Sequence, residues 1–182
     1  MALIKSIRGL APRFGKDCYL ADNATVIGDV IMGDHCSVWF NAVVRGDVHY
    51  IRIGNKVNIQ DGAIIHCTFE TAPTTIGNNV SIAHKAIVHG CTIEDNVLVG
   101  MNAIVMDNAV VGKNSVIAAG AVVLENTIIE PGSVYAGIPA RKIKDVSQEL
   151  TSGLLNRISD NYIRYAEWYR REDEGDETKT GL

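Results

Sequence analysis

Aliphatic side chains recur along this chain every six residues. From Ile93 the series Val99, Val105, Val111, Ile117, Val123 and Ile129 runs without a break. The same step links Val26, Met32, Val38 and Val44, then Ile53, Ile59 and Ile65, then Ile76, Ile82 and Val88. An amphipathic helix repeats near 3.6 residues and a half-buried strand near 2, so neither gives this spacing. Small residues directly follow many of the aliphatic ones, as in Ile53-Gly54, Val99-Gly100 and Ile117-Ala118. Together these features describe a short strand and a tight corner, repeated. The register breaks twice. Eleven residues separate Ile65 from Ile76, predicting a loop over 69–75, and nine separate Val44 from Ile53, predicting a bulge within 45–52. On a regular frame such interruptions are where function concentrates.

Over roughly residues 10–140 the pattern resembles the hexapeptide-repeat family, whose fold is a left-handed parallel β-helix, a triangular prism with three hexapeptides per coil. The expected architecture is mainly β, with the β-helix over 1–140 and the segment 136–140 (AGIPA) resembling the stop sequence that closes such domains. Beyond it, Leu150, Leu154, Ile158, Tyr162, Tyr165 and Tyr169 lie at helical spacing and predict one C-terminal α-helix over 146–171. Ser147 can cap its start, and the helix is expected to lie along the prism. The acidic stretch 172–182 is expected to be disordered.

Composition agrees with thin, regular layers: 47% of residues are apolar but only 6% are aromatic. A net charge of −4 gives no reason to expect nucleic acid or an anionic membrane surface as a partner. No apolar run suits a signal peptide or a membrane span, and Cys18, Cys36, Cys67 and Cys91 are scattered without CxxC pairing. A reduced, cytoplasmic setting is the expectation.

The candidate chemistry lies in 59–90, which holds three of the five histidines, His66, His84 and His89. Counting three hexapeptides per coil and allowing for both interruptions stacks Val44, Ile65, Val88, Val105 and Val123 in one column. Arg45, His66 and His89 then stack just after them. Coils stand roughly 4.8 Å apart, and two imidazole nitrogens bound tetrahedrally to zinc stand roughly 3.4 Å apart, so neighbouring coils can supply both. His84 falls above Asp61 on a different edge. One prism does not bring two edges to one ion, but a threefold trimer does. The expectation is a homotrimer whose metal takes His66 and His89 from one chain and His84 from the next, with Arg45 and Asp61 pairing across the interface. Three imidazoles accept zinc, iron or cobalt.

Arg45-Gly46-Asp47, Asn58-Ile59-Gln60-Asp61 and the three histidines are together similar to the γ-class carbonic anhydrases. That resemblance implies reversible CO2 hydration by a metal-bound hydroxide, with zinc (or iron, or cobalt) at the subunit interface. It implies that Gln60 positions or activates the bound water, that Asn58 orients neighbouring groups, and that Arg45 and Asp61 pair between subunits. Asp47 is read as orienting its neighbours, and Tyr162 resembles a tyrosine that reaches toward the site in relatives. Where the best-studied γ-type enzymes carry a shuttle glutamate, this chain has Val48, so deprotonation is expected to rely on buffer or an unassigned group and hydration to be slow or absent. His49 is a candidate substitute that reads more simply as a surface residue of the bulge, and the loop offers one carboxylate, Glu70. Two other functions stay open: an acyltransferase or thioesterase acting on coenzyme A esters, and a non-catalytic metal-binding scaffold trimer.

Overall fold

The computed structural model describes residues 1–147, 153 and 155–173. The chain winds as a parallel β-solenoid of about seven turns with one C-terminal helix, the left-handed β-helix architecture expected of the repeat. Each coil contributes three short strands, and like strands of successive coils pair in parallel to make three walls. The first wall stacks residues 25–27, 43–45, 64–66, 87–89, 104–105 and 122–123; the second stacks 31–32, 51–53, 74–76, 92–93, 110–111 and 128–129. These two are continuous through the long strands Thr25–Met32 and Val43–Ile53. The third wall runs from Tyr19–Leu20 to Ser133–Ala136.

Side chains alternate along a strand, so every second residue points inward. The column Val26, Val44, Ile65, Val88, Val105 and Val123 is fully buried and in register from coil to coil. At about 25 cal/mol per Å² of apolar surface, this inner stack is the main source of stability. Corners repeatedly place a non-glycine residue at φ near +55°, and seven of those residues are Asn. Asn tolerates this left-handed conformation better than other L-residues because its short amide can bond locally.

Both register breaks appear. The bulge lies at 47–50, inside the expected 45–52: Gly28 pairs with Gly46, and Val30 pairs next with Ile51. The loop is shorter than 69–75. A bridge between Thr68 and Ala72 closes it, and strand resumes at Thr74, because Thr74 and Thr75 find partners in Ile51 and Arg52. Parallel stacking ends at the AGIPA segment, after which Arg141–Asp145 folds back antiparallel on Ser133–Ala136.

The helix Asn156–Asp173 covers the third wall. Leu155, Ser159 and Ala166 are buried against it, while Tyr162 and Tyr165 are half-buried. The wall presents the indole of Trp39, which meets Tyr162 edge-on at 5.3 Å and Tyr169 at 5.5 Å. Leu150, Leu154 and residues 174–182 lie outside the described residues, as do the start of the expected helix and most of the acidic stretch. Among the described residues no helix is long and apolar enough to cross a membrane.

Candidate functional site

His66 and His89 sit in register on adjacent strands of the first wall. Their rings meet with His66 Nδ1 3.0 Å from His89 Nε2. The outer nitrogen of each ring faces a carboxylate: His66 Nε2 lies 3.1 Å from Asp47 Oδ1, and His89 Nδ1 lies 2.5 Å from Asp107 Oδ1. Asp47 is braced by Arg45, whose Nη1 donates to Oδ2 at 2.6 Å. Asp107 accepts the Thr68 hydroxyl on its other oxygen. Burial works to raise both carboxyls, but the donors outweigh it and hold both below the ordinary carboxylate range.

This arrangement fixes the tautomers. Ionised Asp47 and Asp107 accept only from N–H groups, so the protons of neutral His66 and His89 sit on the outer nitrogens. With both rings neutral, the two inner nitrogens 3.0 Å apart carry lone pairs, and burial disfavours a charged His66. A divalent cation held by these two residues would satisfy both, and imidazoles backed by carboxylates are the habitual ligands of such ions. The donor set therefore fits a divalent metal, with two ligands from this face of one chain. Among the described residues no group of three or more His, Cys, Asp or Glu converges to hold an ion within the chain.

His84 is elsewhere. It follows the third-wall strand Ser81–Ile82, stacked over Asp61, whose Oδ2 lies 2.9 Å from its Nδ1; both side chains are near 40% exposed. Asn58 and Gln60 precede Asp61 on the neighbouring strand and are buried despite facing outward. Gln60 Nε2 donates to Asn58 Oδ1 at 2.9 Å, and Asn58 Nδ2 donates to Ser81 Oγ at 2.8 Å. Tyr162 lies over this edge, in a cleft of about 300 Å³ that it shares with Asp61, Trp39 and Phe40. Burial and the Asp61 carboxylate push its hydroxyl up to about 12. Arg45, Asp47, His66 and His89 thus gather on one edge, and Asn58, Gln60, Asp61, His84 and Tyr162 on another.

A family model described as "Bacterial transferase hexapeptide (six repeats)" matches residues 12–46 and 90–125. A probable carbonic anhydrase of Methanocaldococcus jannaschii is 55% identical over 150 residues, spanning 82% of this chain and 91% of that protein. The chain belongs to the γ-class carbonic anhydrase-like family of hexapeptide-repeat proteins. A carbonic anhydrase of Geobacillus kaustophilus is 38% identical over 92% of this chain and 91% of its own. Among solved structures, a hexapeptide transferase family protein from Anaplasma phagocytophilum superposes with a TM-score of 0.87 at 36% identity, over 92% and 98% of the two chains.

Around the paired histidines, sequence reasoning missed Asp107, Thr68 and Thr74. Thr74 Oγ1 donates to the His66 carbonyl and accepts the Gly90 amide at 2.9 Å, tying the two histidine strands together. Asp107 was reachable from the register. Val105 stacks on Val88, so residue 107 stacks on Gly90, directly after the ligand candidate. Gly90 has φ +55°, and a Cβ there would overlap Asp107 Oδ1, so glycine opens the space that the carboxylate occupies.

Proposed function

We propose that the chain acts as a homotrimeric, metal-dependent carbonic anhydrase interconverting CO2 and bicarbonate. His66 and His89 of one subunit and His84 of the next hold the ion, zinc first and iron or cobalt as alternatives. The observation that carries this reading is the pair of facing ring nitrogens 3.0 Å apart, each ring backed by its own carboxylate. A second supports the assembly. The outward-facing positions of the same wall, Leu3, Val43, Ile64, Ile87, Ile104 and Val122, form a continuous aliphatic stripe in register through Thr25, beside the two histidines. Ile64 and Leu3 are 41% and 54% exposed in the lone chain. A second copy of the chain covers such a stripe and brings the His84 edge to it.

When bound, the cation supplies Lewis acidity that lets water ionise near pH 7. The chain's residues do the rest. Asp47 and Asp107 keep protons on the outer ring nitrogens. Arg45, with 40% of its side chain exposed, braces Asp47 and stands at the rim where the partner's Asp61 arrives. The Gln60 amide spends a donor on Asn58, which leaves its oxygen as a fixed acceptor for a substrate or water proton. Tyr162 stays protonated at any working pH and offers a donor over the same edge. Val48 is partly buried against the core and carries no proton, so proton export depends on buffer.

Metal analysis and stopped-flow CO2 hydration on the wild type and His84→Ala test the proposal. The expected result is one metal per chain, buffer-dependent hydration, and at least a tenfold weaker metal site in the variant. A wild-type trimer that takes up no metal, or a loaded one that hydrates no CO2 in strong buffer, overturns it. Thioester cleavage by the loaded protein in place of hydration would move the assignment to coenzyme A esters.

A further inference from the structure

We propose that Cys18 and Cys36 are the two halves of an inter-coil disulfide, formed by exchange with a small-molecule disulfide, which makes the first two coils a reversible covalent modification site. The pairing follows from register. Tyr19 and Leu20 lie beside Ser37 and Val38, and the Tyr19 amide donates to the Cys36 carbonyl at 2.9 Å, so residues 18 and 36 hold the same place on successive coils. Neighbouring strands stand about 4.8 Å apart, inside the Cα separation of about 4.4–6.8 Å that a disulfide spans. Each thiol donates to a corner carbonyl of the next coil, Cys18 to Gly33 at 3.2 Å and Cys36 to Gly54 at 3.1 Å, so the two side chains leave their strands in the same sense. The other cysteines lack such a neighbour: Cys91 stacks between Thr74 and Ala109, and Cys67 beside Gly90.

The two thiols are not equivalent. Cys18, near the N-terminal start of the solenoid, is partly exposed, while Cys36 is buried. Contact with the Cys36 thiol pulls Cys18 below the ordinary thiol range, and the same contact together with burial drives Cys36 above it. Cys18 is therefore the attacking group and Cys36 the resolving one. The Cys18 thiolate attacks one sulfur of a disulfide RSSR, forming a mixed disulfide and releasing RS⁻. Cys36 then attacks the Cys18 sulfur, and the second RS⁻ departs with the Cys36 proton. The balance is protein dithiol plus RSSR giving protein disulfide plus two RSH. The bond staples the coil on which the helix rests, since the Asp17 carbonyl accepts Arg170 at 2.6 Å and Tyr19 packs against Tyr169 at 5.7 Å.

The test uses the full-length protein treated with oxidised glutathione, followed by intact mass and peptide mapping under non-reducing conditions. The expected product has lost two hydrogens, about 2 Da, with residues 18 and 36 cross-linked. It also melts roughly 5 °C higher than the reduced protein. In Cys36→Ser, a mixed disulfide on Cys18 should accumulate instead. An unchanged wild-type mass, a glutathione adduct that persists on wild-type Cys18, or a two-hydrogen loss in Cys36→Ser would each overturn the proposal.

Discussion

Replacing Asp107 by alanine should weaken metal binding by 10- to 100-fold, the usual loss when a partner behind a ligating histidine is removed, or about 1.4–2.7 kcal/mol. Asp107 takes the Nδ1–H of His89 at 2.5 Å and is held for that task by Thr68. Without it the His89 ring is free to rotate and to exchange tautomers, so its inward lone pair is no longer guaranteed. The loss is partial because Arg45, Asp47 and His66 are untouched. Asp107→Asn should recover more than half of it, since an amide oxygen still accepts from His89. Gly90→Ala should imitate Asp107→Ala, because the new Cβ claims the space of Oδ1. In the double variant the two losses should not add. The assay is competition for zinc against a chromophoric chelator, with the melting temperature of the metal-free proteins as a check on folding. An Asp107→Ala protein that is folded and binds zinc as tightly as wild type would show that the carboxylate only fills space.

Two further outcomes follow from the same coordinates. Ile64→Arg places a charge in the centre of the aliphatic stripe, flanked in register by Val43 and Ile87. It should raise the dissociation constant of the assembly on the order of 100-fold, read by sedimentation or light scattering, since an uncompensated charge in apolar contact costs about 3 kcal/mol; an unchanged oligomer would mean that another face is used. Tyr162→Phe should alter the alkaline limb of stability. The folded hydroxyl titrates at about 12 because of burial and Asp61, against about 10 unfolded. The native state therefore holds this proton more tightly, and its stabilisation is complete below pH ~10 and lost as pH rises from there toward ~12. Urea midpoints measured across that range should fall less steeply in the Phe variant, and parallel curves would refute the assignment.

Much of the frame was legible because the repeat converts sequence distance directly into height. Val44, Ile65, Val88, Val105 and Val123 could be stacked on paper, and they stack in register in the structure. The same count put His66 beside His89 and His84 over Asp61. What escaped it was lateral. Periodicity says which residues share a column but not which side chain reaches across to the next one: the register could place Asp107 over Gly90, but not show that its carboxylate turns to His89. On the helix, Tyr162 and Tyr169 meet Trp39, while the buried Ser159 and Ala166 lie outside the apolar spacing and were not marked by it.

The regular and irregular parts of the chain divide the work of the site. Regular coils put His66 and His89 at one strand spacing and fix it, because moving either would shear a fully buried column. The regular array supplies one of the groups that aim them, Asp107, which faces His89 from the unbroken run between Val105 and Val111. The other groups come from the places where the repeat fails. Asp47 enters from the bulge at 47–50, Thr68 from the closed loop, and Thr74 from the strand that restarts after it. Shortening either insertion to restore a strict six-residue step would leave the histidine column and Asp107 standing while removing Asp47 from His66 or Thr68 from Asp107. Such a variant should fold and stack as before yet bind metal poorly, which separates what the frame provides from what its interruptions add.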